Sequence, residues 1–437
     1  MQIHMNPNPY DQLPYRCQPI EWTAPERLAL ASLLHQGPVP DLRRYRVLEL
    51  GCGDGSNLLP LAYYRPQASF VGIDGASTQI RLAQHRQQQL HVPNVEFMAL
   101  DFLQANDRLD GTFDFIIAHG VFSWVPDVAR DALFALCQQR LADDGLLYLN
   151  YNTRPGWNVR GMVRDYLLGS SDRSQPLLLR AQSAQAAAAK MAQSLATEQH
   201  PFSQLLANEF QFVCDNHVSY VAHEYLAEHN HAYWRSELLA LATAYGFHCV
   251  ADADYNYASG RVDAALPARL ISMGLAGREL KDTEDLVSYR QLHTPILSWQ
   301  RAQARQPEHA ILRQLQVASC LQPRGAHQPF WFEHPNGYQV EAKDALMADA
   351  LNRLATIWPD PLPVTALLGE HENHIADLLL LHNNGLLELR LPQAPGGSGQ
   401  FQLNQLNQLE LEWGGYCTTA QHQRVEYSAP LGTERRA

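Results

Sequence analysis

Lysine is nearly absent. Of the 33 Lys+Arg residues in the 437-residue chain, only Lys190, Lys281 and Lys343 are lysines. Positive charge is short altogether, because 45 Asp+Glu leave a formal net charge of −12. Gripping a nucleic-acid backbone takes a basic face. No nucleic-acid partner is therefore expected, and an acidic surface would instead attract a basic one. The seven cysteines contain no C-x-x-C pair, so neither a zinc ribbon nor a disulfide framework is expected, and a reducing cytoplasm is the expected setting. No run of about 18 apolar residues occurs, so no membrane span is expected. The segment Met1 to Pro7 lacks the basic and apolar stretches of a secretory signal. Gly-x-Ser-x-Gly is missing, and with it a nucleophile elbow. His223-Glu224 is followed by His229, not by the i, i+4 histidine of a zinc helix. His371 and His374 have no evident third ligand. No metal is expected.

What the chain does have is one dense motif. An apolar run, Tyr45 to Leu50, ends in Glu49-x-Gly51-x-Gly53-x-Gly55. That pattern predicts a buried strand, a glycine turn and a helix from near Asn57. Glycine tolerates φ > 0 and lets backbone approach a ligand closely. No Gly-Lys-Ser/Thr follows, so this is not a P-loop. Nor is it the dinucleotide spacing, whose third glycine would fall on Ser56. A second strand, Ser69 to Ile73, ends in Asp74, where doubly wound folds hold ribose hydroxyls. A third, Val95 to Leu100, ends in Asp101-Phe102, an acid and a ring suited to adenine. A fourth, Phe113 to Ala118, ends in His119-Gly120. A fifth runs from Leu146 to Asn150. Helices such as 128–141 alternate with them, which predicts an α/β fold with a parallel sheet covered on both faces. Ligands in such sheets bind at the carboxyl ends of the strands.

The remainder divides by composition. Residues 1–45 read as an aromatic, proline-rich arm and a helix, Pro25 to Leu34, with Thr23 a candidate N-cap. Residues 46–165 are the nucleotide-binding core. Residues 166–330 hold helices, an Ala-rich segment (Ala181 to Ala196), and a last helix–strand unit, Tyr233 to Ala251; 275–330 is expected to be helical. Residues 331–437 read as a winged-helix-like unit: helices 345–358 and 370–382, then strands 386–391 and 401–404. From 345 onward there are five Arg, no Lys and ten Asp+Glu, the wrong sign for DNA. A protein-binding or dimerising role is expected of it.

The glycine motif resembles the first motif of class I S-adenosylmethionine-dependent methyltransferases, whose Rossmann-like core is a mostly parallel seven-stranded sheet. Two longer strings, Ala118-His119-Gly120-Val121-Phe122-Ser123-Trp124-Val125-Pro126 and Tyr151-Asn152-Thr153-Arg154-Pro155-Gly156-Trp157, narrow this. With Tyr10-Asp11-x-x-Pro14-Tyr15 they resemble bacterial methyltransferases carrying a methyltransferase regulatory domain, among them the rickettsial lysine methyltransferases of outer-membrane protein B. Two positions depart from the pattern: Ala24 within Thr23-Ala24-Pro25, and Arg154. The resemblance implies S-adenosylmethionine as cofactor, held by Glu49, Gly51, Cys52, Gly53, Asn57, Asp74, Gly75, Asp101, Phe102, His119 and Gly120. It implies an acceptor pocket with His119, Tyr151, Trp124 and Tyr15 as catalytic candidates and Phe122 and Trp157 beside them. Tyr151 or His119 would relay a proton, with no dedicated base. A protein or peptide lysine is the expected acceptor. Methylation of a small molecule or peptide natural product is the alternative, and a non-catalytic cofactor-binding protein a further one. A homodimer is left open. Scarce lysine also suits an enzyme that would otherwise modify itself, although codon bias towards Arg explains the count as well.

Overall fold

The computed structural model describes residues 8–253, 266–303, 308–392, 403–426 and 435–436. At its centre is a seven-stranded sheet built from β1 (Arg46–Leu50), β2 (Ser69–Asp74), β3 (Val95–Ala99), β4 (Phe113–Ala118), β5 (Leu141–Leu149), β6 (His248–Asp252) and β7 (Pro295–Ser298). Their order is β3-β2-β1-β4-β5-β7-β6. β1 to β5 pair in parallel, and β7 runs antiparallel to both β5 and β6. A strand buried on both faces reads as a continuous apolar run. Thus Val47 enters one core and Leu48 the other. Helices 58–64 and 77–90 cover the Val47 face with Leu58, Leu59, Ile80 and Ala83. Helices 127–140 and 235–244 cover the Leu48 face with Leu133, Phe134 and Leu238. The crossovers from β1 to β2 and from β3 to β4 leave on opposite sides. They open a crevice at the carboxyl ends of β1 and β4.

After β5 the chain leaves the sheet for three helices, Arg154–Ser170, Leu177–Leu195 and Pro201–Asp215. An alanine stripe (Ala181, Ala184, Ala188) lets them pack closely. A short helix, Val218–Tyr220, then runs into a π-helical turn, Val221–Tyr225.

Three expectations need correction. Thr23 is not the N-cap of helix 25–34; that position is Ala24. Thr23 is fully buried, and its hydroxyl donates to the Ile20 carbonyl at 2.8 Å and accepts from Asn57 Nδ2 at 3.1 Å. Among its described residues, the stretch 275–330 is helical only at 277–287 and 309–312. It supplies β7, four buried residues wedged between β5 and β6 and too short to show a period. In the C-terminal unit, helices 345–357, 364–368 and 375–383 are present, and strand Glu388–Arg390 pairs with 316–318, a partner outside the expected unit. Residues 401–402 lie outside the described residues, and Asn404 caps a helix, Gln405–Gly414, by accepting from Asn407 N at 3.0 Å.

The C-terminal segment folds back onto the core. Tyr64 Oη donates to the Thr418 carbonyl at 2.9 Å and accepts from Asn404 Nδ2 at 2.8 Å.

Candidate active site

The glycine loop after β1 needs its glycines for two reasons. Gly51, Gly53 and Gly55 all have positive φ, at 74°, 53° and 77°, where a Cβ is strained. A Cβ on Gly53 would also sit 2.5 Å from Cys17 Sγ. The loop is braced from β2: Asp74 accepts from Gly53 N (2.9 Å) with one carboxylate oxygen and from Ala76 N (2.7 Å) with the other. Each oxygen retains a second lone pair. Burial raises the Asp74 pKa, and these two N–H donors pull it back down.

Glu49, at the end of β1, receives Asn57 Nδ2 on Oε1 at 2.7 Å. Its Oε2 is buried and has no partner. Burial pushes its carboxyl up to about 8. Asn57 Oδ1 collects Ile20 N at 2.8 Å and His422 Nε2 at 2.7 Å. One amide therefore joins the first motif, the N-terminal segment and the C-terminal fold-back.

The other strand tips meet the same crevice. Asp101 caps helix 102–105 by accepting from Leu103 N at 2.9 Å. Gly120 N donates to Asn150 Oδ1 at 2.6 Å, tying the tips of β4 and β5 together. His119 Nδ1 lies 2.8 Å from Tyr148 Oη, which also accepts from Trp22 Nε1 at 2.8 Å. This arrangement is satisfied when the phenol donates to Nδ1, which puts the ring's proton on Nε2. Burial pushes His119 down to about 4. Near neutral pH it is an uncharged donor rather than a proton acceptor.

Every expected site residue except Tyr151 and Phe122 lines a single cavity of about 970 Å³. Tyr151 is 2% exposed and packs against Tyr233 and His293. Alternation along a strand sends residues 150 and 152 one way and 151 the other, and it is Asn150 and Asn152 that reach the cavity. Phe122, also expected near the acceptor, is fully buried behind the wall. Trp124 and Trp157 do line the cavity, edge to face with ring centroids 5.4 Å apart.

The N-terminal arm straps across this cavity. Asp11 accepts from Thr78 N at 2.8 Å, and the Leu13 carbonyl lies 2.6 Å from His223 Nε2. Gln79 Nε2 donates to the Tyr15 carbonyl at 3.3 Å. Sequence reasoning missed Cys17, Arg160, Tyr220 and Glu224 as cavity residues. No local pattern marks them, since the arm and the π-turn meet across about 200 residues of chain.

Two acids, buried Glu49 and half-buried Glu224 on the cavity wall, give the cofactor-free protein a pH signature. Glu49 and Glu224 both titrate near 8 in the folded chain, because burial disfavours their charge. Unfolded glutamate titrates near about 4.3. Between those values the folded chain holds more protons, so stability falls as pH rises. The thermal midpoint should drop between pH of about 6.5 and 8, and Glu49→Gln should flatten the drop. A midpoint that rises across this range would contradict the assignment.

The family described as "Methyltransferase domain" matches residues 47–145. The chain is 31% identical over 293 residues to RP789, an uncharacterized protein of Rickettsia prowazekii, an alignment covering 66% of this chain and 52% of that one. It therefore spans about half the length of RP789. A second uncharacterized R. prowazekii protein, RP028, is 30% identical over 221 residues, 51% of this chain and 88% of its own length. The chain belongs to the class I S-adenosylmethionine-dependent methyltransferases. Among solved structures, PKMT2 from Rickettsia typhi in complex with AdoHcy superposes with a TM-score of 0.80 over 95% of this chain and 86% of that one, at 22% identity. At that identity the likeness establishes the shared fold. The shared fold extends well beyond the matched core domain, through the helical middle region and the C-terminal unit. Among the described residues, no helix is long and apolar enough to cross a membrane.

Proposed function

We propose that the chain transfers a methyl group from S-adenosylmethionine to the side-chain amine of a lysine in a protein. The observation that carries this reading is the continuity of one cavity, from the glycine loop and Asp74 to a chamber walled by Trp124, Trp157, Tyr220 and Glu224. The cofactor half suits its ligand. Asp74 offers two braced oxygens to vicinal ribose hydroxyls, and Asp101 and Phe102 offer an acceptor and a ring face to adenine. Gly51, Gly53 and Gly120 leave room for backbone contact, and the orphaned Glu49 Oε2 awaits a donor. AdoHcy bound to PKMT2 of R. typhi supports the same ligand here.

Bound S-adenosylmethionine supplies an electrophilic methyl on a sulfonium sulfur. The residues of the chain then have three tasks: aligning the acceptor nitrogen, excluding water, and keeping that nitrogen neutral at attack. The aromatic walls favour cations through their π faces and desolvate the amine, which lowers its pKa. His119, neutral and donating from Nε2, serves as an orienting group. The net charge of −12 favours a basic acceptor.

A direct test is incubation with methyl-tritiated cofactor and a lysate of the source organism, followed by acid precipitation. Label in discrete protein bands is expected. Label confined to the small-molecule fraction would sink the protein-substrate reading.

A further inference from the structure

One wall of the cavity comes from the π-turn Val221–Tyr225. Such turns insert one extra residue into a helix and often mark functional sites. Here the turn directs His223 towards the arm, where its Nε2 lies 2.6 Å from the Leu13 carbonyl and its ring stacks on Tyr10 with centroids 4.2 Å apart. The neighbouring residue, Glu224, is left on the cavity wall.

No hydrogen bond or ion pair reaches the Glu224 carboxylate among the described residues. Arg160 is the cation that faces it, but its guanidinium is committed elsewhere, donating to Glu209 and to Gln291, each at 3.2 Å. The other titratable groups facing Glu224 are phenols: Tyr10 and Tyr15 from the arm, and Tyr220 and Tyr225 from its own segment. Burial pushes the Glu224 carboxyl up to about 8. An enclosed acid without a partner is costly to maintain. In a ligand cavity, such an acid marks the place where a complementary charge arrives with the ligand.

Resting on the amine-methylation reading above, we infer that Glu224 is the counter-ion of the acceptor. It receives the incoming lysine ammonium, with Tyr10, Tyr15 and Tyr220 around the aliphatic stem, and so sets specificity for a cationic acceptor over a neutral one. A cation beside the carboxylate favours its ionised form and lowers its pKa. Acceptor binding should therefore strengthen as pH rises towards 8 and weaken again once lysine loses its own proton.

Two measurements test the inference. The first is a titration of the Glu224 carboxyl in the AdoHcy complex by infrared difference spectroscopy, wild type minus Glu224→Gln. The midpoint near 8 is expected to fall by about one unit or more in n-butylamine and to stay in place in n-butanol. A midpoint that moves with neither, or equally with both, overturns the proposal. The second is transfer from methyl-tritiated cofactor to a pooled library of lysine peptides. Glu224→Gln should slow transfer by roughly 100-fold, with AdoHcy affinity unchanged within about twofold and partial rescue by Glu224→Asp. If wild type labels lysine peptides and Glu224→Gln labels them equally fast, this inference fails and the amine reading stands. If wild type labels no amine, the reading fails and takes the inference with it.

Discussion

Asp74→Ala is expected to weaken AdoHcy binding by roughly 100-fold or more while leaving the fold intact. The carboxylate at the tip of β2 is aimed by two backbone donors, Gly53 N and Ala76 N, at 2.9 and 2.7 Å. The lone pairs left over face the crevice that a ribose would enter. Hydrogen bonds to a charged group contribute about 1.5–3 kcal/mol each. Losing two of them therefore gives the predicted drop, and the loss of the brace on Gly53 adds to it. Isothermal calorimetry with AdoHcy measures the change, and circular dichroism checks the fold. An unchanged affinity would remove Asp74 from the cofactor site and with it the orientation of cofactor assumed here.

Arg65→Met carries the largest expected change in stability. Arg65 is 1% exposed and grips Glu26 with both prongs of its guanidinium, at 2.8 and 2.7 Å. Tyr45 Oη donates to the same carboxylate at 3.1 Å. This pair pins the N-terminal helix 25–34 to the helix that follows the glycine loop. Removing one partner of a buried pair leaves an uncompensated charge and costs about 3–5 kcal/mol. Removing both charges is far milder, because neither remains to be desolvated. The thermal midpoint of Arg65→Met should therefore fall steeply, and Glu26→Gln/Arg65→Met should recover part of the loss. If the double variant is as unstable as the single one, charge burial is not the cause.

The parts of the molecule legible in its sequence are those whose demands are local. The glycine loop requires positive φ and open space at fixed positions, and strands β1 to β4 each end in a residue that the crevice uses. The strand tips therefore brought Asp74, Asp101 and His119 to one edge, as expected from their positions alone. Tyr151 did not join them because one residue of register decides which face of a strand a side chain takes. β7 was missed because Pro295-Ile296-Leu297-Ser298 is too short to be told from a loop. Glu224 has no local signature either. Its role depends on an arm that arrives from the other end of the domain, and on a turn geometry that apolar spacing does not encode. Helix 405–414 went unread, because its cap Asn404 was taken as the end of a strand whose alternating Phe401 and Leu403 suggest a period of two.

The central claim is methyl transfer to a lysine amine. It is tested most directly by incubating the full chain with cofactor carrying a deuterated methyl group and a lysate of the source organism. Labelled proteins are then hydrolysed in strong acid and their amino acids identified by mass spectrometry. The account predicts deuterated N-methyl-lysine, formed by wild type and lost with Asp74→Ala. Label that leaves as methanol on mild base treatment, with no methyl-lysine, would mark carboxylate esters and contradict it.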